Sequence, residues 1–588
     1  MTRNAWAIAL LSTALLSACG SEPSDQQQRD KREPEAATGI IAKQAVRASE
    51  YMVAAATPQA AAAGREILAN GGDAIDAAVA VQAMLTLTEP QSSGIGGGAF
   101  ILYWDNASQT LYTIDAREKA PATAGPDLFL DANGQPPEQF WDAVVGGRSV
   151  GTPGVLKGLE LAHKRWGERP WQELFTSTIE LAEAGFEVSP RLEQLLEMDL
   201  NPGLRKLQAG ADYFYPNGQA LQAGELKQNP ELAWALRLIA EQGTDAFYRG
   251  PVGEKIVAAV QSSEASPGLL TTEDLANYEA VVREPVCNGY RSYKVCGMGP
   301  PSSGGLTVLQ ILGILENFPV AQWEPQSIET VHHFTQASRL AFADRNRYIA
   351  DSDYVDVPVV NLLEKSYLAE RSRLIGTSDL KQAQPGVFAS YSYADDQSPE
   401  FPNTSHISIV DAQGNAVSMT TSIEMGFGSA VMASGFLLNN QLTDFSIVPE
   451  VNGTLVANRV EGGKRPRSSM SPTMVFDRSG EQLIHVVGSP GGARIINYVA
   501  QTLVGLLDWN MNMQQAIDQP HFTNLNNYTA LEEDTPMAEL VSKLKRKGHN
   551  ARATGLNSGL HGITIEADGT LLGGADPRRE GVALGERN

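Results

Sequence analysis

The sequence predicts an α/β (α+β) sandwich in which helices cover a mainly antiparallel sheet system. With 588 residues, of which 42% are hydrophobic, the chain can bury a large core. Residues 155–368 mostly repeat their apolar side chains with helical periodicity, whereas the residues after Asn403 alternate as strands do. Helical patterns on both sides of a strand-rich centre are typical of helices packed on sheets.

The overall charge limits the class of partner. The formal net charge is −23, and no run rich in Lys or Arg reverses it locally. Such a negative field repels phosphate backbones, so nucleic acid is not a predicted partner.

The N-terminus predicts export and lipid anchoring. Arg3 precedes the apolar stretch 5–16, which is too short to cross about 30 Å of hydrocarbon. Residues 1–18 therefore read as a signal peptide. Leu16-Ser-Ala-Cys19 resembles the bacterial lipobox, which implies cleavage before Cys19 and a diacylglycerol on its thiol. Residues 19–50 then form an anchor and flexible tether, and we expect a cell-envelope protein facing the periplasm. Ordinary secretion with an incidental cysteine is the alternative.

Two helices are predicted near the start of the mature chain. Pro58 opens the first, which ends at Gly71-Gly72, and Asp73 can cap an alanine-rich helix that runs to about Leu87. Its many small side chains allow close approach to another layer, so it is predicted to lie buried on a sheet.

The glycine run Gly94–Ala99 matches the residue pattern of a dinucleotide-binding fingerprint. That fingerprint needs a strand before the glycines and a helix after them. Here a predicted helix and Glu89-Pro90 come before, and the strand-like Phe100–Trp104 comes after. The context therefore argues against a nucleotide site, and no cofactor is predicted.

Cys287 and Cys296 lie in a predicted hairpin that turns on Arg291-Ser292. Cross-strand register places the two cysteines opposite each other, at a position where a disulfide is feasible. An oxidising compartment favours the disulfide, with two free buried thiols as the alternative.

The middle of the chain is predicted to be helical, with residues 329–349 forming a long amphipathic helix. His332 and His333 lie on this helix without an HExxH pattern, so they are interpreted as structural residues and no metal site is predicted. Residues 377–403 lose periodicity and are predicted to be a mobile surface segment that tolerates a cut.

A second hairpin follows the cut-tolerant segment. Strands 404–410 and 416–422 flank a turn over residues 411–415. If Asp411 opposes Asn415, the register places Ser422 opposite Thr404. A slip of one residue would instead make Ser422 a solvent-facing strand residue.

The segment Asn403–Val417 resembles the maturation site of the γ-glutamyltranspeptidases. Further blocks occur in the family's order, and the resemblance spans roughly residues 51–581. These blocks are 93–98 (SGIGGG), 115–118 (DARE), 300–305 (PPSSGG), 437–441 (LLNNQ) with 444–446 (DFS), 464–472 (KRPRSSMSP), 488–492 (GSPGG) and 575–579 (ADPRR).

This resemblance implies the four-layer αββα sandwich of the N-terminal-nucleophile hydrolases, with a largely helical large-chain region. It also implies self-cleavage between Asn403 and Thr404 into a large chain, 51–403, and a small chain, 404–588, that stay together. The chemistry agrees, since the α-amine that the cut frees on Thr404 can act as base for the same residue's hydroxyl.

The resemblance also assigns roles around Thr404. Ser422 matches a family threonine that holds the nucleophile's Oγ1. Gly491 and Gly492 follow Ser489-Pro490 in a turn whose amides could bind an oxyanion, with a plain structural turn as the alternative.

For a γ-glutamyl group, the α-carboxylate is assigned to Arg117, Ser468 and Ser469, and the α-ammonium to Asp444 and Gln441. Taken alone, Arg117 beside Asp115 would be interpreted as a surface ion pair. Glu424 departs from the family pattern, where asparagine is the amino-group ligand, but a carboxylate can also accept from an ammonium.

The predicted function is hydrolysis or transfer of γ-glutamyl groups from glutathione and related small molecules through a threonyl ester. Residues 446–464 are shorter than the family's active-site lid, which favours hydrolysis because water reaches the ester. A glutaryl or cephalosporin acylase of the same fold is the alternative within enzymes. An inert solute-binding lipoprotein is the alternative from another class.

Overall fold

The computed structural model describes residues 40–398, 401 and 403–586. Cys19, the predicted signal peptide and most of the predicted tether therefore lie outside the described residues. No helix in the described ranges is long and apolar enough to cross a membrane.

Two seven-stranded sheets, each antiparallel throughout, form the centre of the described part of the chain. The first, here called the Thr404 sheet, contains the strand that follows Thr404. Its strands, in spatial order, are Val582–Gly585, Met52–Ala55, Ser405–Val410, Ala416–Ser422, Gly98–Asp105, Thr110–Ala116 and Val281–Arg283.

The second sheet, here called the disulfide sheet, packs against the first. Its strands, in spatial order, are Val46–Ala48, Leu571–Ala575, His561–Ile565, Leu483–Gly488, Thr473–Asp477, Tyr293–Gly297 and Val286–Tyr290. Cys287 pairs in register with Cys296, and the two form a disulfide with Cα atoms 4.1 Å apart. The predicted hairpin and its pairing are therefore present.

A helical layer covers the outer face of the Thr404 sheet. The helix Ala74–Thr88 is buried along its whole length and packs on the two strands of the 405–422 hairpin. It begins at Asp73, whose side chain accepts the backbone N–H of Asp76 at 2.8 Å. The predicted N-cap and the predicted burial of this helix are both correct.

A second helical layer covers the disulfide sheet. The helices Gly304–Leu315, Ile328–Tyr348 and Ile495–Leu507 share its core cluster. Between the sheets, the rings of Trp104 and Phe476 lie 4.9 Å apart. The order helix, sheet, sheet, helix is the predicted four-layer αββα sandwich.

Most of the remaining helices lie between residues 141 and 372, as the periodicity predicts. The further α-helices in the described ranges are Pro58–Ala69, Trp141–Val144, Val155–Trp166, Thr176–Ala184, Pro190–Glu197, Gly203–Lys206, Gln208–Phe214, Pro230–Gln242, Asp245–Tyr248, Pro251–Gln261, Thr272–Ala276, Val359–Leu363, Lys365–Ser372, Met513–Ile517 and Val541–Arg546. The smaller strand groups are Phe186–Glu187 with Leu226–Lys227, Met432–Ala433 with Phe436–Leu437, Glu450–Val451 with Thr454–Leu455, and Phe522–Asn524 with Thr529–Glu532 and Ala551–Thr554.

The glycine run lies in the loop between the helix Ala74–Thr88 and the strand Gly98–Asp105. A Cβ atom on Gly96 would lie 2.2 Å from the carbonyl oxygen of Leu437, and one on Gly97 would lie 2.1 Å from that of Ser422. The glycines thus allow close backbone approach to Leu437 and to Ser422, the last residue of the 405–422 hairpin. This packing role, rather than nucleotide binding, accounts for the run.

The two histidines of the long helix have structural partners. His332 Nδ1 is hydrogen-bonded to His549 Nε2 at 2.8 Å, and its Nε2 to the carbonyl of Gly376 at 2.8 Å. His333 Nδ1 is hydrogen-bonded to the Glu329 carbonyl at 2.7 Å. Within the described ranges, no group of three His, Cys, Asp or Glu side chains could hold a metal ion.

The segment predicted to be a mobile surface stretch is irregular but anchored. Asp379 is buried and accepts from Arg339 at 3.0 Å. Asp396 is also buried and forms an ion pair with Arg467 at 3.0 Å. The surface interpretation was therefore too simple, because polar residues in this segment pair with buried arginines instead of facing water throughout.

Candidate functional site

Hairpin register places Thr404 at the end of the Thr404 sheet. Ser405 opposes Thr421 in the ladder, so the next pair outward is Thr404 and Ser422, as predicted. Both residues are buried, and Thr404 Oγ1 lies 3.3 Å from Ser422 Oγ. The slipped register, with Ser422 facing solvent, is excluded.

The hydroxyls of this pair converge on the peptide bond that the sequence predicts to be cut. Thr404 Oγ1 is within hydrogen-bonding distance of the Asn403 carbonyl oxygen, and Ser422 Oγ donates to the same oxygen at 2.9 Å. The backbone N–H of Glu424 donates to Ser422 Oγ at 2.8 Å and so fixes the direction of the serine proton. Ser422 can therefore stabilise negative charge on this oxygen when Thr404 attacks the adjacent carbon.

A buried polar network holds the Thr404 backbone from behind. Arg579 Nη1 donates to the Thr404 carbonyl at 3.3 Å and lies 3.9 Å from the Glu89 carboxylate. Ser405 Oγ donates to Glu89 at 2.6 Å and is 2.8 Å from Ser93 Oγ. Burial raises the pKa of Glu89. Sequence reasoning assigned no role to Glu89 or Arg579, although both lie in or beside motif blocks.

The Gly491–Gly492 turn lies beside this pair. Both residues have positive φ, 134° and 54°, a backbone conformation that favours glycine. Gly492 lines the same cavity as Thr404, whereas Gly491 is not among the residues that line it. The turn is thus next to the reacting atoms, and its oxyanion role stays a prediction.

One cavity, partly open to solvent, brings the other predicted residues together with Thr404 and Ser422. All six residues assigned to the γ-glutamyl group line it, although they come from four separate stretches of sequence. They are Arg117, Glu424, Gln441, Asp444, Ser468 and Ser469.

Arg117 is buried and is not a surface ion pair with Asp115. Its Nη2 donates to Asp444 at 2.5 Å and to the Arg467 carbonyl at 2.9 Å, and its Nε donates to the Pro466 carbonyl at 3.1 Å. The Asp115 carboxylate pairs with Arg283 at 2.7 Å. Protein oxygens thus already occupy part of the guanidinium fork on which the sequence interpretation relied.

Carboxyl groups surround this arginine. Gln441 Nε2 donates to Asp444 at 2.9 Å, and Asn440 Nδ2 donates to Glu424 at 2.9 Å. Burial, reinforced by the negative charge of Asp444, raises the pKa of Glu424 well above its ordinary value. Burial also raises the pKa of Glu118, beside Arg117, to about 8. The neutral forms of Glu424 and Glu118 therefore persist to higher pH than those of free glutamates.

The two serines assigned to the carboxylate each accept a hydrogen bond from the protein. Ser468 Oγ accepts the backbone N–H of Met470 at 3.1 Å, and Ser469 Oγ accepts from Arg345 Nη2 at 2.6 Å. Sequence reasoning missed Arg345. The only signal was an arginine on the buried face of an amphipathic helix.

The segment 446–464 forms a small structure of its own. It contains the hairpin Glu450–Val451 with Thr454–Leu455, and Ser446 N–H donates to the Asn458 carbonyl at 2.8 Å. The structure describes every residue of this segment, and none of 446–464 is among those lining the cavity. The reduced lid stays a prediction.

Comparison with known proteins gives the family. The family model described as gamma-glutamyltranspeptidase matches residues 60–586. The chain belongs to the γ-glutamyltranspeptidase family. This confirms the predicted family, enzyme class and fold, and nothing in the comparisons supports the solute-binding alternative.

Relatives of two kinds are similar to this family member. A glutathione hydrolase proenzyme from Bacillus subtilis strain 168 is 38% identical over 548 residues, which cover 91% of each chain. The acylase ACY 1 proenzyme from Pseudomonas sp. strain V22 is 34% identical, covering 94% of this chain and 96% of its own. Among solved structures, a cephalosporin acylase from Bacillus halodurans has a TM-score of 0.82 at 29% identity, covering 94% of this chain and 98% of its own.

Proposed function

We propose that this protein is a self-cleaving γ-glutamyl amide hydrolase and transpeptidase that uses Thr404 as its nucleophile and acts on glutathione and related compounds. The observation that carries the proposal is the cavity in which Thr404 and Ser422 face all six residues assigned to a γ-glutamyl group. The relatives named glutathione hydrolase proenzyme support the substrate class.

Maturation begins with attack of Thr404 Oγ1 on the Asn403 carbonyl carbon. The C–N bond breaks, the nitrogen takes up the hydroxyl proton as a free amine, and an ester joins Asn403 to Thr404 Oγ1. Water then hydrolyses the ester, leaving the Asn403 carboxylate on the large chain and Thr404 with a free hydroxyl and α-amine. Ser422, which donates to the Asn403 carbonyl oxygen at 2.9 Å, stabilises the charge of the first step.

Turnover reuses the same atoms. The α-amine of Thr404 takes the hydroxyl proton while Oγ1 attacks the γ-carbonyl carbon of the substrate, and the leaving amine departs with that proton. Water, activated by the same amine, hydrolyses the threonyl ester and releases glutamate. Gly491 and Gly492 are proposed to bind the oxyanion through their amides.

Charge complementarity favours a γ-glutamyl group over an uncharged acyl group. Arg117, Ser468 and Ser469 offer donors for the α-carboxylate, and Asp444 with Gln441 offers acceptors for the α-ammonium. Glu424 joins the ammonium ligands when it gives up its proton. An incoming ammonium stabilises that ionised state.

A glutaryl or cephalosporin acylase activity is the second candidate. It is favoured by the similarity to acylase proenzymes and to the cephalosporin acylase structure. A glutaryl group keeps the carboxylate and lacks the ammonium, so it needs Arg117 and the serines without needing Asp444. The short 446–464 segment leaves room for a bulky leaving group.

We also propose that the protein is anchored to the cell envelope through lipid on Cys19 and faces the periplasm. The support is the sequence Leu16-Ser-Ala-Cys19 after a short apolar stretch. Metabolic labelling with a palmitate analogue tests it: the Cys19→Ser variant should lose the label, and labelled variant protein would refute the anchor.

The experiment that tests the enzymatic proposal compares γ-glutamyl and glutaryl p-nitroanilides on one preparation, with glycylglycine added as acceptor. The γ-glutamyl substrate should have the higher kcat/KM, and free glutamate should exceed γ-glutamyl-glycylglycine. A higher kcat/KM for the glutaryl substrate would make the acylase activity the main one. An excess of the transfer product would refute the preference for hydrolysis.

A further inference from the structure

The carboxylate side of the cavity is built on residues 300–305, the PPSSGG block, which the proposed chemistry does not otherwise use. Ser303 donates to the Ser468 carbonyl through both its backbone N–H and its Oγ, each at 2.7 Å. Ser302 Oγ donates to the Met470 carbonyl at 2.6 Å, and Ser468 N–H donates to the Pro301 carbonyl at 3.1 Å. Residues 301–303 thus run alongside residues 468–470 and hold them in place by hydrogen bonds, with an isolated parallel bridge between Ser302 and Ser468.

Arg345 joins these two segments from a third element. It lies on the helix Ile328–Tyr348 and is 2% exposed. Its Nε donates to Ser303 Oγ at 2.8 Å, and its Nη2 donates to Ser469 Oγ at 2.6 Å. One buried guanidinium therefore fixes both the supporting segment and a serine that lines the cavity.

This arrangement determines what Ser469 can offer a ligand. Its Oγ accepts a hydrogen bond from Arg345, so its own O–H must point away from the guanidinium and toward another acceptor. A hydroxyl that accepts from a cation is also polarised and donates more strongly. Through Ser469, the positive charge of Arg345 acts on a carboxylate that Arg345 itself does not contact.

Arg117 alone supplies only part of the positive charge that a bound carboxylate requires. Asp444 neutralises much of its charge, and two of its three nitrogens already donate to protein oxygens. Arg345 brings a second guanidinium to the carboxylate side without lining the cavity itself. Because Arg345 acts through Ser469, its effect is confined to ligands that carry a carboxylate there.

We propose that Arg345 is a positioning residue that sets specificity for acyl groups with a terminal carboxylate, by orienting the Ser469 hydroxyl and, through Ser303, the 468–470 segment. The inference rests on the proposed function, since it deepens the role of the same site. It assigns the carboxylate preference to a cation that lies outside the cavity.

The test uses three p-nitroanilides on the mature enzyme, each corrected for an enzyme-free blank. The γ-glutamyl substrate carries carboxylate and ammonium, the glutaryl substrate only the carboxylate, and the 4-aminobutanoyl substrate only the ammonium. Arg345→Lys should raise KM about fivefold for the first two, because one ammonium cannot replace a bridging guanidinium. For the 4-aminobutanoyl substrate, kcat/KM should change by less than about twofold.

Arg339→Lys is the matched control. Arg339 is also buried on the helix Ile328–Tyr348, but it binds Asp379 at 3.0 Å and the Asn527 carbonyl at 3.0 Å, away from the cavity. Its substitution should leave the ratios among the three substrates unchanged, whatever it does to thermal stability. Ser303→Ala removes one anchor of Arg345 and should give a smaller loss with the same carboxylate selectivity.

An equal loss for all three substrates in Arg345→Lys would overturn the inference, as would unchanged ratios in both Arg345→Lys and Ser303→Ala. If Arg345→Lys does not fold, the ratios in Ser303→Ala decide the matter alone. Failure of the proposed function looks different. In that case the unmodified enzyme itself would not prefer the γ-glutamyl over the 4-aminobutanoyl substrate.

Discussion

The two sides of the cavity are assembled in different ways. On one side, Thr404 and Ser422 belong to a single hairpin, and the ladder between 405 and 421 brings them together. On the other side, Ser468 and Ser469 are held by residues 301–303 and by Arg345, which are far away in the chain. Local register thus fixes the residues proposed to break bonds, whereas long-range packing fixes the residues proposed to recognise the substrate.

Because the two sides are assembled differently, we expect mutations on each side to have different effects. Changes on the hairpin side should affect both self-cleavage and turnover, because the proposed mechanism uses the same hydroxyls for both. Changes on the recognition side should affect KM and leave the cut intact, since the scissile bond is held in place without a bound substrate.

The largest effect is expected for Thr404→Ala, which removes the attacking hydroxyl. The variant should remain one uncut chain without activity on any of the anilides. Denaturing electrophoresis and a turnover assay check this. Two chains from Thr404→Ala would mean that another residue makes the cut, which would contradict the role proposed for the hairpin side of the cavity.

Ser422→Ala should slow self-cleavage by about 100-fold, because it removes a donor at 2.9 Å from the carbonyl oxygen that gains charge. The time course of chain appearance after denaturing quench measures it. Ser422→Thr keeps the hydroxyl and is the control, expected to cut at nearly the normal rate. Normal cutting by Ser422→Ala would show that this hydrogen bond is only structural.

Arg117→Lys should raise KM for γ-glutamyl p-nitroanilide by roughly tenfold or more, since one ammonium cannot reproduce a guanidinium fork. Self-cleavage should be unaffected. An unchanged KM would mean that the α-carboxylate binds elsewhere and would favour the acylase activity. A blocked cut would mean that the two sides of the cavity are not separable.

The smallest effect concerns pH. Burial and the charge of Asp444 raise the pKa of Glu424 well above its ordinary value, so its carboxyl group ionises at higher pH than that of a free glutamate. KM for the γ-glutamyl donor should therefore fall a few-fold with rising pH, because the carboxylate binds the ammonium better. Glu424→Gln should remove this trend.

Kinetics across the neutral to mildly alkaline range measure the pH effect, with KM separated from kcat because the α-amine proposed as base belongs to a class of group whose unperturbed pKa is about 8. The glutaryl substrate is the control, since it has no ammonium and its KM should not fall. The same pH course in the unmodified enzyme and in Glu424→Gln would rule out Glu424 as the titrating group.

The predictability of the site follows the same division. The pairs Thr404 with Ser422 and Cys287 with Cys296 followed from counting residues around a turn, because a hairpin fixes register locally. The six recognition residues followed only from resemblance to a family. No periodicity relates Arg117 to Ser468.

The missed residues depend on tertiary packing alone. Arg345 looks like any arginine on an amphipathic helix until the helix is placed against residues 303 and 469. Glu89 and Arg579 are far apart in sequence and become partners only when the fold brings both next to Thr404. The segment 377–403 was interpreted as surface because its composition is polar. Its residues Asp379 and Asp396 are instead buried and form ion pairs with the buried residues Arg339 and Arg467.

Intact-mass spectrometry of the purified protein, with N-terminal sequencing of the smaller product, tests the central claim most directly. The claim is that one residue makes the cut and then performs turnover. The account predicts a small chain whose first residue is Thr404 with a free α-amine. A small chain that begins at any other residue, or a fully active protein that remains uncut, would contradict it.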